Sequence, residues 1–323
     1  MLYIVPELPV RNRYQEWITA VLEEELRRRG IEYEVVYPRE PVEELTTYFT
    51  NEPEAIDYAL GQVRTLLLQR RLGMGDIVFW MDIDFPGFAV PAAYFVRRSG
   101  AVNVGMVHGA YFNPGDYWYG QPRRDFMRAA ITVCETVMVA TKSFRDALMA
   151  ELGIRQATKF SITGLPLRTS VYREYASRFG EFRRRTIAFK GEIPTWFRSL
   201  VSTLGYDLVE ASGLRFEEYL ELLATSAAVA LFKKSETFGY TLVEALALGT
   251  PVLTNGLPVY AELAGYTDGR VVTLAVGPSV VHSFLEEFGG ATRERVWRGA
   301  SRLLEWVDGS ASRIADVLEE FLE

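Results

Sequence analysis

The sequence predicts an α/β protein made of two doubly wound domains. Three observations carry that expectation. The chain has 323 residues, about twice an ordinary domain. Apolar runs of strand length alternate with helical periodicity along most of it. The alternation loosens after Leu165 and then starts again. Residues 2–5 form a short apolar strand. A helical pattern through Trp17, Val21, Leu22 and Leu26 follows and closes at Gly30, a C-cap position. Residues 31–37 alternate as a second strand, and residues 54–72 form a helix with Ile56, Ala59, Leu60, Val63, Leu66 and Leu67 on its apolar face. Residues 76–81, 102–107 and 136–140 read as buried strands separated by helices, the pattern of a parallel sheet covered on both faces.

Residues 168–185 are charged and Arg-rich and are expected to connect the domains. The second series has strands at 186–189, 207–210, 227–232, 251–254 and 270–275, with helices at 193–204, 216–225 and 238–248. The remainder reads as helices broken by Gly289-Gly290 and Gly309. The expected domains are therefore 1–168 and 169–309, with a final helix, 310–323, packing back on the first. Ligand crevices in such sheets open at the carboxyl ends of the strands, so two units imply a site in a cleft between them.

Composition removes several classes. A hydrophobic share of 49% against 24% charged excludes disorder for most of the chain, and Cys134 as the only cysteine excludes a disulfide scaffold. No apolar run approaches the ~18 residues of a membrane span. The first seven residues lack the basic start of a signal peptide, so a reducing, cytoplasmic setting is expected. One cysteine and two histidines, His108 and His282, argue against a zinc site. The net charge of −7 is unlike a whole-chain nucleic-acid binder, yet residues 97–185 carry 15 basic against 7 acidic side chains. Arg97, Arg98, Arg123, Arg124 and Arg128 fall in that stretch, with aromatics from Tyr111 to Tyr119 between them. It reads either as solvated helix surface or as a face for an anionic acceptor, a lipid phosphate, a membrane surface or a nucleic acid.

The most informative segment runs from Leu231 to Leu253. It reads as strand, loop, helix start, helix, Gly stop and strand. Gly239 at the turn lets a ligand approach the backbone, and the first-turn amides near Phe238, Gly239, Tyr240 and Thr241 suit anionic oxygens. Glu236 lies in the loop. Glu244 lies on the helix among Leu242, Val243, Ala245 and Leu246, where a carboxylate needs hydrogen-bonding partners such as polyol hydroxyls.

This segment resembles the Glu-x7-Glu donor motif of retaining GT-B glycosyltransferases, the family typified by glycogen- and sucrose-synthase-like enzymes. Glu236 and Glu244 have that spacing, and Thr237-Phe238-Gly239 and the run from Glu244 to Val252 match the surrounding pattern. Asn255-Gly256-Leu257-Pro258 with Glu262 resembles the loop beyond the next strand. The resemblance implies two Rossmann-like domains facing a cleft, with Glu244 holding the nucleotide ribose. It also implies Glu236 on donor-sugar hydroxyls and loop amides on sugar and phosphate. Weaker matches at 104–108, 137–143 and 161–165 extend it over most of the chain. His108, at a strand end, stands where the family often has a histidine facing the donor sugar; a plain structural hydrogen bond is the other reading.

The chain also departs from the family. A Gly-Arg strand end with a lysine soon after usually grips the diphosphate; here Lys190 takes the first role, and Arg198 is the candidate for the second. No Gly-rich loop follows the first strand, and the second domain is short by about one αβ unit. Asp82-Ile83-Asp84 reads as acceptor contacts or loop structure, with a metal role the lesser alternative; two carboxylates without a third ligand make a poor site. Gly73-Met74-Gly75 precedes a strand, so a dehydrogenase fingerprint is discounted. The loop after His108 places Tyr111 and Asp116 on the expected acceptor side.

The expected activity is transfer of a hexose from a UDP- or GDP-sugar, used as substrate, with retention and without metal or cofactor. A nucleic-acid-base-modifying transferase and an inactive nucleotide-sugar-binding protein are the alternatives. The expected location is cytoplasmic, with peripheral membrane attachment open.

Overall fold

The computed structural model describes residues 1–7, 14–39, 52–83, 90–114, 119–120, 123–268 and 270–322. The chain separates into two compact units, Met1–Leu167 with Gly309–Glu323, and Arg168–Asp308.

The first unit runs β1 (Leu2–Val5), α1 (Tyr14–Arg29), β2 (Tyr33–Val35), α2 (Glu52–Gln69), β3 (Ile77–Trp80), α3 (Val90–Arg98), β4 (Val102–Val107), α4 (Arg124–Val133), β5 (Thr136–Val139), α5 (Lys142–Leu152) and β6 (Phe160–Ile162). Its strands form one parallel sheet in the order β2-β1-β3-β4-β5-β6. β1, β3 and β5 are fully buried, as residues covered by helices on both faces must be. The chain leaves β1 for β2 on one side and returns to β3 on the other. The strand order therefore reverses between β1 and β3, where open α/β sheets form their ligand crevice.

The second unit runs α6 (Thr169–Ser177), β7 (Arg184–Gly191), α7 (Thr195–Thr203), β8 (Asp207–Glu210), α8 (Phe216–Thr225), β9 (Ser226–Phe232), α9 (Tyr240–Ala247), β10 (Val252–Thr254), α10 (Pro258–Ala264), β11 (Val272–Leu274), α11 (Pro278–Phe288) and α12 (Arg293–Asp308). Its parallel sheet has the order β11-β10-β9-β7-β8, with the reversal between β7 and β9. The stretch expected as a connection is largely structured. Tyr172 and Ala176 bury one side of α6, and β7 extends through Lys190 and Gly191. High charge masked an amphipathic helix whose apolar side is only three residues wide.

The last helix, α13 (Ser310–Glu319), belongs to the first unit. Arg29, at the end of α1, pairs with Asp316 at 2.7 Å and Glu319 at 2.5 Å and bonds Ser312. Arg313 donates to Thr163 O at 3.0 Å. Where the chain passes between units, Thr169 donates to Asp308 from its amide (3.1 Å) and hydroxyl (2.6 Å), so both crossings share one anchor in the second unit. No helix of the described residues is long and apolar enough to cross a membrane.

Two arginines fasten the second unit where helices lead into the amino ends of its strands. Arg293, 1% exposed, donates to Gly180 O (2.6 Å), Ala224 O (2.9 Å) and Leu248 O (2.8 Å). Arg183 donates to Ser226 O, Thr250 Oγ1 and Gly249 O. Burial, then the charge of Arg293, pulls the Arg183 guanidinium down to about 10, so it stays charged at neutral pH. Gly249 has φ +76°, and a Cβ there would lie 2.8 Å from Arg293 Cβ, so glycine is required on two counts. Arg293→Met would remove this donor from the buried carbonyls of Ala224 and Leu248 and from that of Gly180. It is expected to cost about 2–5 kcal/mol in urea unfolding, with Arg293→Lys little better because one ammonium cannot reach all three. A loss under about 1 kcal/mol would mean other donors serve those carbonyls.

Candidate functional site

Lys190 and the loop after β9 flank the strand-order reversal of the second sheet. β7 and β9 lie side by side with Lys190 opposite Leu231 and Gly191 opposite Phe232. Gly191 has φ +95°, and a Cβ would sit 2.0 Å from Phe232 O, so the two strands can close up only on glycine. Beyond Phe232 the chain turns at Gly239, φ +91°, the left-handed N-cap of α9. The side chain of Phe238 is core, 1% exposed and edge-on to Tyr240 at 4.9 Å; what it can offer a ligand is backbone.

Glu236 lies at the mouth of this turn, its side chain 13% exposed. Lys233 Nζ is 2.7 Å from Oε2, the Thr237 amide donates to Oε1 at 3.0 Å, and Tyr260 OH approaches at 3.4 Å. Burial works against its charge. The Lys233 ammonium and the amides of Thr237 and Gly239 outweigh burial and hold the carboxyl below its ordinary range. Glu236 is therefore a fixed anion with oxygens suited to accept from hydroxyls.

Glu244, one turn into α9, is held by two phenols. Tyr219 OH on α8 donates to Oε2 at 2.5 Å, and Tyr172 OH on α6 donates to Oε1 at 3.2 Å. Burial and the Glu244 charge push both phenols well up, so they stay neutral donors. Lys190 Nζ lies 4.4 Å over the Tyr219 ring and donates to Thr241 Oγ1 at 3.2 Å. The structure thus gathers Lys190, Thr241, Tyr219, Glu244 and Tyr172 into one network, with Glu236, Gly239 and Tyr240 at the start of the same helix. Arg198 lies exposed on α7 and makes no hydrogen bond to this group.

His108 lies in the first unit, directly after β4, and is 7% exposed. Its Nε2 is 2.6 Å from Met81 O and 2.8 Å from Glu7 Oε1. Asp82 follows Met81 and is half-buried. Tyr111 OH donates to Glu151 at 2.8 Å; burial and that carboxylate push its phenol up to about 12. Asp84 and Asp116 lie outside the described residues. Among the described residues no three of His, Cys, Asp and Glu group as metal ligands. Burial pushes the Cys134 thiol up to about 12, which removes it as a nucleophile.

Sequence reading missed Tyr172, Tyr219 and Glu7. For the tyrosines one signal was present: a carboxylate among apolar neighbours on α9 demands donors from elsewhere, and tyrosines on facing helices supply them. Tyr219→Phe is expected to destabilise the protein by about 1–3 kcal/mol in chemical unfolding, since a partly buried carboxylate loses its shorter bond. With Tyr172→Phe also present the combined loss should exceed the sum, because the last phenol donor is then gone. Strict additivity would mean that water already serves Glu244.

No protein-family model matches the sequence, and no curated protein resembles it in sequence. The fold is shared widely among solved structures. HepE from Anabaena, in complex with UDP and glucose, has a TM-score of 0.60 at 12% identity, covering 98% of this chain and 99% of that one. The catalytic domain of starch synthase IV from Arabidopsis thaliana, bound to ADP and acarbose, has a TM-score of 0.64 at 10% identity, covering 99% of each chain. Sucrose-phosphate synthase from Thermosynechococcus elongatus has a TM-score of 0.62 at 11% identity, covering 99% of this chain and 98% of that one. At these identities the likeness shows the fold: two parallel-stranded α/β units of GT-B type.

Proposed function

We propose that the protein transfers a sugar from a nucleotide-sugar donor to an acceptor. The observation that carries this is the pair Glu236, in the loop before α9, and Glu244, on α9, at a strand-order reversal. Each is a partly buried carboxylate already bound by donors, with Lys190 between the sheet edge and the helix. In this reading the ribose hydroxyls take over Glu244 oxygens from the tyrosines. Glu236 accepts from hydroxyls of the transferred sugar, and Lys190 with the first-turn amides of α9 stabilises the leaving diphosphate. The fold neighbours support the reading, since their structures carry UDP with glucose and ADP with acarbose.

The finer assignments are part of the same proposal. The donor is a UDP- or GDP-hexose used as substrate, with no cofactor, and the Glu-x7-Glu spacing favours retention. His108 contributes to turnover and, with Asp82, Asp84, Tyr111 and Asp116, belongs to the acceptor side. Arg198 is the candidate for the second diphosphate contact.

A thermal-shift screen of nucleotide sugars tests the donor. Ligand at about 100 times its Kd stabilises by about 2.7 kcal/mol. Glu244→Gln is expected to weaken donor binding about tenfold or more in a protein that still folds. Unchanged affinity would reduce Glu244 to a helix anchor. Turnover is expected to persist in excess chelator; loss of activity, restored by manganese or magnesium, would make Asp82 and Asp84 metal ligands.

An anionic acceptor is favoured by one surface. The outer face of α3 carries Tyr94 (58% exposed), Phe95 (55% exposed), Arg97 and Arg98 without an acidic residue, and α4 adds exposed Arg124 and Arg128 beside Asp125. Arg97 is shared with Glu135 at 3.5 Å, an exposed pair of small worth. Sugar transfer should fall as salt rises while donor hydrolysis changes little, and Arg123→Glu with Arg124→Glu should imitate high salt. Transfer that ignores salt would point to a neutral acceptor.

A further inference from the structure

Lys190 carries its charge at the carboxyl end of β7, beside the strand-order reversal of the second sheet. An ammonium on a flexible four-carbon stem keeps one place only where its surroundings hold it. Its Nζ donates to Thr241 Oγ1 at 3.2 Å and stands 4.4 Å from the centre of the Tyr219 ring. Tyr219 is itself fixed. It is 8% exposed on α8, and its hydroxyl has one hydrogen with two acceptors in reach, Glu244 Oε2 at 2.5 Å and Thr241 Oγ1 at 3.3 Å. Thr241 and Glu244 stand one turn apart on α9, so a single phenol spans both.

Burial, then the Glu244 carboxylate, pushes the Tyr219 phenol well up, so it keeps its hydrogen. A neutral phenol cannot pair with Lys190 as an ion. What it offers the ammonium is the negative face of its ring, at a distance where a cation is attracted. The second acceptor matters once a ligand arrives. When ribose hydroxyls take the Glu244 oxygens, the phenol hydrogen turns to Thr241 Oγ1 by rotation of the O–H, and the ring stays beneath Lys190. We propose that Tyr219 is a positioning residue for Lys190. Its hydroxyl anchors the ring whether or not Glu244 is occupied, and its ring face holds the ammonium for the diphosphate of the donor. The part of this inference that concerns the donor rests on the glycosyl-transfer reading; the ring–ammonium contact does not.

The test combines a spectroscopic and a binding measurement on the full chain. With five lysines, protein labelled with 13C-lysine gives five sets of ε-methylene signals, and Lys190→Arg assigns one of them. A methylene held over a ring face is shifted upfield by the ring current. The Lys190 signal should stand upfield of the other four, remain there in Tyr219→Phe and join their range in Tyr219→Met. A Lys190 signal within that range in the parent protein would overturn the contact. Addition of UDP, or of GDP where UDP does not bind, should shift the Lys190 signal and leave it upfield. A signal that joins the range of the others would show that the ammonium leaves the ring to bind, which overturns the role. Calorimetry with the same nucleotide supplies the second measure. Both variants lack the hydroxyl, and only Tyr219→Phe keeps the ring, so Tyr219→Met should bind about fivefold or more weakly than Tyr219→Phe. With Lys190→Met also present, that ratio should fall below about twofold. An equal ratio in both backgrounds would reduce the ring to core packing. If neither nucleotide binds the parent protein, the donor reading fails, and the Lys190 signal still decides the contact.

Discussion

Arg293, fully buried, and Arg183 beside it hold the carbonyl ends of the two helices on which the candidate site of the second unit is built. Ala224 O closes α8, and Leu248 O and Gly249 O close α9. The ends of both helices concentrate negative partial charge, and two guanidinium groups answer it at the amino ends of β9 and β10. The α12 helix that begins at Arg293 is in turn capped by Glu181, which accepts the Arg293 amide at 2.8 Å. Tyr219 rides on α8 and Glu244 on α9, so the distance between that phenol and that carboxylate depends on a contact at the far ends of their helices.

With the far ends fixed, the near ends can be left for binding. Gly239 starts α9 in a left-handed conformation, which lets Glu236 fold back onto the amides of Thr237 and Gly239. Lys190 occupies the neighbouring strand end because Gly191 permits β7 and β9 to close. The result is a short helix with an anion at its start, a second carboxylate one turn in and a lysine beside it. Each charge is partnered, so the group holds its arrangement before any ligand arrives. That is the condition for electrostatic stabilisation of a leaving group without reorganisation.

The two units solve the same problem with different chemistry. Each has a parallel sheet with one strand-order reversal and polar residues at the adjoining strand ends. In the second unit the carboxylates are satisfied by phenols, amides and a lysine; in the first a single buried carboxylate meets an imidazole. Thr169 and Asp308 tie together the points where the chain passes from one unit to the other, and Tyr172 stands one turn beyond that anchor. Occupation of Glu244 by a ligand would therefore be felt on α6, the first element after the crossing.

Much of the fold was legible in the sequence because its cause is local. Apolar runs such as 102–107 and 227–232 can be buried on both faces only as parallel strands. Gly239 and Gly249 mark the two ends of α9 because left-handed backbone favours glycine. The spacing of Glu236, in the loop before that helix, and Glu244, on it, was equally plain. Hidden from the sequence was everything that depends on non-neighbouring partners. The helix at 169–177 was masked by its charge, since its narrow apolar side gains meaning only against α9 and α12. That Tyr172 and Tyr219 converge on Glu244, from 72 and 25 residues away, follows from helix packing and leaves no local pattern. Arg183 falls in the Arg-rich stretch expected to connect the domains, yet the structure sets it, with Arg293, among backbone carbonyls. Glu7 and His108 stand 101 positions apart in the sequence and meet only because β1, β3 and β4 lie side by side. Periodicity reports which face of an element is buried; only the tertiary structure decides what that face, or the residue just past its end, is buried against.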